Sequence, residues 1–439
     1  MNRNLPLALL TAAVVGAAAL PALALQPVST TAPQPIASGV ALSTGHPVLT
    51  FTGTMHNPAP IPMANDPDPT ACAVDCQLWS LQVATHDPFL VAIHNGNSSI
   101  DDGFNLYVYD PDGNQVAASN GIGSNGQAAA VHPSSTGLYT IAITATYAYD
   151  VDAGYLGEAR IMSGSSWDTP QCATTAPCPL LPSLSVQPPT DVHIDGIPPV
   201  ASTPLGFPLP GGTSTGSSCY LDETANTGAS RCLRFTSEVD NSGTGVLNLE
   251  IPWAAAQLPG NCHATQVISY TDGSTRTHDA GECEFHAAHG HFHYRDFVEF
   301  ALHAVNPDGT TGATVASSLK ESFCLADDGY VGFGTPGPNG PRNHVGQPGC
   351  NVPSTTDATP TDAAIHMGVS PGWGDIYTWD TPDQYIDIST TPPGVYDIVA
   401  RANPNGDLLL GDPSHECGAT RIRLTADAVS TVSPSVPCT

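Results

Sequence analysis

The segment ECEFHAAHGHFHYRDFVEFAL places His286, His289, His291 and His293 within eight residues. In an extended chain alternate side chains share a face, so His289, His291 and His293 project together while Gly290 and Phe292 point away. Three imidazoles about 6.5–7 Å apart along a twisted strand can converge on one ion. In a helix only His289 and His293 would share a face, and the aromatic setting of FHYRDFVEF favours the strand. An all-imidazole donor set suits Cu(II), Zn(II) or Fe(II), with copper favoured by the divalent affinity order where it is available. Asp296 and Glu284 lie close enough in sequence to complete a two-histidine, one-carboxylate iron site, so the spacing leaves the metal open. There is no HExxH arrangement of the kind metalloproteases use. His286 would lie on the opposite face of a regular strand and is expected to hydrogen-bond near the metal instead of ligating it.

The elements that must hold these side chains belong to a chain of 439 residues with 42 Gly, 42 Pro and few strong helix formers. Val, Thr and Tyr are frequent, and no helical period is sustained beyond ten residues, so the expected fold class is all-β with long loops. The runs FLVAIHNG, FNLYVYDPDGNQVAAS and GLYTIAITATYAYD read as alternating strands broken by Asp-Gly or Gly turns. YVYDPDGNQV is the clearest hairpin. These runs predict an N-terminal, jelly-roll-like β-sandwich, which resembles the jelly-roll domains appended to secreted bacterial peptidases. That resemblance implies an accessory role, with an extracellular matrix or cell-wall ligand. RCLRFTSEVDNSGTGVLNLEIP, HFHYRDFVEFALHAV, QYIDIST and GVYDIVARANP predict a second, loop-rich β-sandwich that holds every residue pointing to chemistry.

The N-terminus, MNRNLPLALLTAAVVGAAALPALALQP, has one early Arg, an apolar run from Leu5 to Leu20, and Ala22 and Ala24 spaced as a signal-peptidase site. The expected organisation is a signal peptide over 1–24, a linker over 25–45 and the accessory sandwich over 46–165. A Pro- and Cys-rich linker over 166–185 then leads to the catalytic domain over 186–439. No later run approaches the roughly 20 apolar residues of a membrane span, so a secreted protein is expected. Twelve cysteines in an exported chain point to disulfides, sequential pairing being the simplest guess. A net charge of −29 argues against nucleic acid as a partner and would gather cations such as amines or metals.

The chain carries ten arginines but one lysine, Lys320, in the stretch SLKESFC. HGHFHYRDF, LKESFCL, GVSPGWGDIYTWDTPDQYIDISTTPPGVY and ANPN occur in the order and approximate spacing of the lysyl oxidase catalytic domain. CYLDETANTGASRCLRFTSEVDNSGTGVLNLEIPW looks like that domain's opening, so the resemblance covers about 180–439. It implies copper held by His289, His291 and His293, and a lysine tyrosylquinone made by cross-linking Lys320 to Tyr377. It also implies oxidative deamination of a primary amine, either a small amine or protein-bound lysine, to an aldehyde. Dioxygen would be consumed, and ammonia and hydrogen peroxide released. Arginine could not replace Lys320, because a guanidinium stays protonated and is a poor nucleophile. Asp375, two residues before Tyr377 and on the same face of an extended segment, is the candidate general base. Animal members have a Cys between the first two histidines, where this chain has Ala287 and Ala288, and their further downstream His meets Phe300. Two other readings remain at this point: a mononuclear metal hydrolase or iron oxygenase at the three histidines, and a non-catalytic, metal-containing extracellular binding protein.

Overall fold

The computed structural model of the chain describes residues 33–56, 76–95, 103–119, 126–147, 152–162, 177–194, 218–252, 262–286, 291–319, 322–332, 350, 364–379 and 381–438. The fold is all-β. Its first part holds β1 (Gln34–Pro35), β2 (Val48–His56), β3 (Cys76–Val83), β4 (Phe89–Asn95), β5 (Gly103–Tyr109), β6 (Gln115–Ser119), β7 (Gly126–Val131), β8 (Gly137–Tyr147) and β9 (Asp152–Ile161). These form two sheets, ordered β1-β3-β8-β5-β6 and β2-β9-β4-β7, around a shared apolar core that includes Phe51, Phe89, Ile141 and Tyr155. Within 25–45, read above as a linker, Gln34 and Pro35 pair with Trp79 and Ser80, and Leu42 is fully buried in this core. The expected hairpin is β5–β6, where Asp110 Oδ1 accepts from the Asp112 and Asn114 amides and so fixes the turn.

The second part opens with β10 (Leu184–Val186), β11 (Thr190–His193), a short helix α1 (Leu221–Thr227), β12 (Cys232–Asn241), β13 (Leu247–Pro252) and β14 (His263–Ser269). It continues with β15 (Thr275–His286), β16 (His291–Arg295), β17 (Val298–Val305), β18 (Thr311–Ser317), β19 (Ser322–Phe323) and β20 (Gly329–Tyr330). Its last strands are β21 (Ala364–Val369), β22 (Trp373–Tyr377), β23 (Tyr385–Asp387), β24 (Gly394–Ala402), β25 (Cys417–Leu424) and β26 (Val429–Ser433). Three sheets result: β10-β12-β22-β20 with β11 and β23 also on β12, β19-β16-β15-β14-β13-β21, and β18-β17-β24-β25-β26. Phe235, Leu249, Phe292, Phe300, Trp373 and Ile398 belong to one core between them.

Cys219–Cys232, Cys262–Cys283, Cys324–Cys350 and Cys417–Cys438 are bridged, in the sequential pairing expected. Cys76 and Cys178 are bridged too, while Cys72 and Cys172 lie outside the described residues. No helix among the described residues is long and apolar enough to cross a membrane.

FLVAIHNG does not alternate as read. Phe89, Leu90, Val91, Ala92 and Ile93 are all fully buried, because the sheet carrying them is covered on both faces. Phe89, Val91 and Ile93 enter the first core, whereas Leu90, Ala92, Ala128 and Met162 join the core of the second part. The two parts come into close contact at Gly126, where a Cβ would lie 3.2 Å from the Tyr330 amide and 2.8 Å from the carbonyl of Ile93 on the neighbouring strand. Gly126→Ala is therefore expected to destabilise the chain by about 1–3 kcal/mol, as overpacking between backbones does, measured by chemical denaturation.

Candidate active site

The histidine segment does not run as one strand. β15 ends at His286 and β16 starts at His291, and the two pair antiparallel with His286 opposite His291 and Glu284 opposite His293. His286 thus faces the segment across a hairpin instead of lying along it, and His289 lies outside the described residues. Alternation on β16 sends Phe292 and Tyr294 into the core and leaves His291 and His293 together on the other face. Both are buried, with ring centroids 4.8 Å apart.

Ser322 of β19 lies beside them, with its Oγ 3.2 Å from His293 Nδ1, and donates its one proton to Glu284 Oε1 at 2.6 Å. With that hydrogen committed to the carboxylate, the contact to His293 must be donated by the ring: Nδ1 carries the proton and Nε2 the lone pair. A carboxylate–hydroxyl–imidazole chain of this kind orients a metal-binding histidine and raises its basicity. Two adjacent imidazoles, one with its tautomer set for ligation, fit a transition-metal site. Among the described residues no group of three or more His, Cys, Asp or Glu is placed to hold a metal ion. Glu284 is engaged by Ser322, and Asp296 takes a left-handed backbone (φ 58°) in the turn after β16. Neither the hydroxyl nor its link to Glu284 was read from sequence, because Glu284 and Ser322 stand 38 residues apart and meet only through sheet order β15-β16-β19. Ser322→Ala is expected to lower metal affinity about 10–100-fold with the fold retained, which competition titration against a chelator measures.

Tyr377 ends β22, and its hydroxyl treats Cys324 as a strand neighbour would. It accepts from the Cys324 amide at 2.9 Å and donates to the Cys324 carbonyl at 3.1 Å. Phe323 stands edge-on to its ring at 5.0 Å between centroids. Burial first, then the charges of Asp375 and Asp328, push the phenol well above its usual range, while the Cys324 amide works in the other direction. The phenol is therefore neutral at any ordinary pH, as its donation to a carbonyl requires. Asp375 is buried on the same strand and accepts from the Ala326 amide at 3.0 Å. Lys320 lies outside the described residues, two positions before Ser322.

β19 joins the two halves of the site. Ser322 touches His293, and Cys324, just past the strand and about 6.5–7 Å further along an extended chain, holds Tyr377. The Cys324–Cys350 bridge ties that point back to the histidine strand, since the Cys350 carbonyl accepts from the Phe292 amide at 3.0 Å.

No family model matches the chain. It is 31% identical over 150 residues to lysyl oxidase homolog 1 of Bos taurus, and 31% identical over 147 residues to lysyl oxidase homolog 1 of Homo sapiens. Each match takes in 34% of this chain and 21% of the relative's length, so the chain spans about a fifth of the curated proteins it matches. These matches support a lysyl oxidase-like relationship. Among solved structures, a calcium-binding mutant of Bacteroides uniformis β-glucuronidase 2 aligns with 80% of this chain and 26% of its own, at a TM-score of 0.16 and 8% identity.

Proposed function

We propose that the chain is a secreted copper-dependent amine oxidase whose organic cofactor, a lysine tyrosylquinone, is built from Lys320 and Tyr377. The observation that carries this reading is one short run of chain: Ser322 of β19 contacts His293, and Cys324, the residue after β19, holds the Tyr377 hydroxyl, two and four positions after the chain's one lysine. His291, His293 and His289 would hold the metal, with Ser322 and Glu284 keeping the His293 Nε2 lone pair directed to it. When bound, copper and the quinone supply an electron sink for the two electrons leaving the amine carbon and a route from there to dioxygen.

The remaining work falls to the chain. Asp375 is the proposed acceptor for the proton on the carbon next to nitrogen, and the surrounding buried residues keep it from water. Phe323 and the Cys324 backbone fix the plane and reach of the Tyr377 ring. The surplus of 40 acidic over 11 basic side chains favours approach of cationic amines. Protein-bound lysine and small primary amines are both substrates of the right chemistry, and the sandwich of β1–β9 is proposed to hold a matrix or cell-wall ligand.

The test is made on purified, copper-loaded full chain. Quinone redox-cycling stain on the denatured polypeptide, and a peptide mass joining the segments around 320 and 377, are the expected results. Native zinc with only linear peptides would overturn the proposal.

A further inference from the structure

The two parts of the molecule meet at a buried polar cluster which lies against the strand of the candidate site. On β12, Phe235 and Val239 enter the core, while Glu238 and Asp240 point to the opposite face, over β22. Gly374 pairs with Asp240 and Ile376 with Glu238. A Cβ on Gly374 would lie 2.6 Å from Asp240 Oδ1 and 3.5 Å from Glu238 Oε1, so both carboxyl oxygens crowd one point beside the residue preceding Asp375. Asp240 is 8% exposed; its Oδ2 accepts from Gln187 Nε2 at 2.7 Å, and its Oδ1 has no hydrogen-bond partner among the described residues. Two ionised carboxylates so placed would repel across a dry gap, whereas one proton turns either group into a donor to the other and satisfies the orphan oxygen.

The accessory sandwich covers this face. His94 of β4 is near enough to Glu238 for its charge to act there. Tyr330 of β20 is fully buried under Glu158 and Arg160 of β9, which pair with each other at 3.1 Å. Asp328 accepts from the Ile376 amide at 3.3 Å, and Arg234, further along β12, is committed to Glu223. No other charged group facing the pair is described on β12, β20 or β22, since Asp375 points to the other side of its strand.

We propose that Glu238 and Asp240 hold one proton between them and, so paired, act as positioning residues that lock the accessory sandwich onto the strand carrying Asp375 and Tyr377. Burial and then the charge of Glu238 push the Asp240 carboxyl well above the ordinary carboxylate range, and burial pushes Glu238 up as well. The sign follows. A carboxyl that binds its proton more tightly when folded carries no penalty below its unfolded value, and destabilises progressively as pH climbs from there to the folded value. The lock is firmest in mild acid and loosens as pH rises, with a limit of one proton, or about tenfold in the docking equilibrium per pH unit.

Hydrogen exchange of the full chain tests this without turnover, so its failure would leave the oxidase reading untouched. Protection factors at Ile376 and Tyr377, corrected for intrinsic rates, are expected to fall in wild type as pH rises above the ordinary carboxylate range, by up to about tenfold per unit. Asp240→Asn, which keeps the shape and supplies an N–H toward Glu238, is expected to abolish that dependence. Glu238→Gln should do the same and decides the matter if the first variant does not fold. A flat wild-type profile, or amide variants that follow the wild-type slope, overturns the proposal.

Discussion

Tyr377→Phe is expected to fold and take up metal but neither to stain as a quinone nor to oxidise amines. The missing atom is the hydroxyl that bridges the Cys324 amide and carbonyl, so the variant leaves a buried main-chain donor and acceptor without that partner. The expected loss of stability is about 1–3 kcal/mol, within what a disulfide-bridged fold of this size tolerates. The expected loss of activity is of another order. Without an oxidisable phenol no electron sink forms, and turnover falls by at least about 10⁶-fold, the lower end of ordinary enzymic rate enhancement. Lys320→Arg separates the two effects. It leaves both Tyr377 hydrogen bonds in place, so stability should match wild type while stain and turnover vanish together, because the guanidinium cannot supply a neutral amine. Stain retained in Lys320→Arg would remove the cross-link from the scheme.

The difference between these variants bears on what the sequence could reveal. HGHFHYRDF disclosed a histidine face because period-two alternation is local, and Phe292 and Tyr294 do point inward. The antiparallel pairing of His286 with His291 was not legible: nothing in ECEFHAAHGHFH sets that register. Partners fixed by sheet order escaped as well. Ser322 with Glu284, and Tyr377 with Cys324, stand 38 and 53 residues apart and meet only because β19 lies beside β16 and near the end of β22.

Charge within a strand is no guide to exposure. In RCLRFTSEVDNS the polar Arg234, Thr236 and Asp240 alternate with Phe235 and Val239 of the core and are buried as well. Alternation reports which residues share a face. Whether that face meets water depends on elements remote in sequence.

The same covered face supplies the second large effect. Arg234 is fully buried and paired to Glu223 of α1, which is itself 1% exposed. Its guanidinium also donates to the carbonyls of Ser218 (2.8 Å), Thr381 (3.0 Å) and Trp379 (3.3 Å) and lies 4.6 Å above the Tyr220 ring. Glu223 accepts from the Tyr220 and Asp383 amides at 2.7 and 2.8 Å, closing the first turn of α1. One ion pair thus anchors the helix, the Cys219–Cys232 loop and the chain leaving Tyr377. Glu223→Ala strands a guanidinium in a dry site with only neutral carbonyls around it, and should cost about 3–5 kcal/mol in a denaturation experiment. Arg234→Met leaves a buried carboxylate without its counter-charge, held by the Tyr220 and Asp383 amides alone, and takes the donor from the carbonyls the guanidinium served, a penalty of similar size. The double variant Glu223→Ala with Arg234→Met removes both charges, so its cost is expected to fall well below the sum of the two singles. Additive losses would mean that the pair carries no coupling and that the exit of the tyrosine strand is held by packing alone.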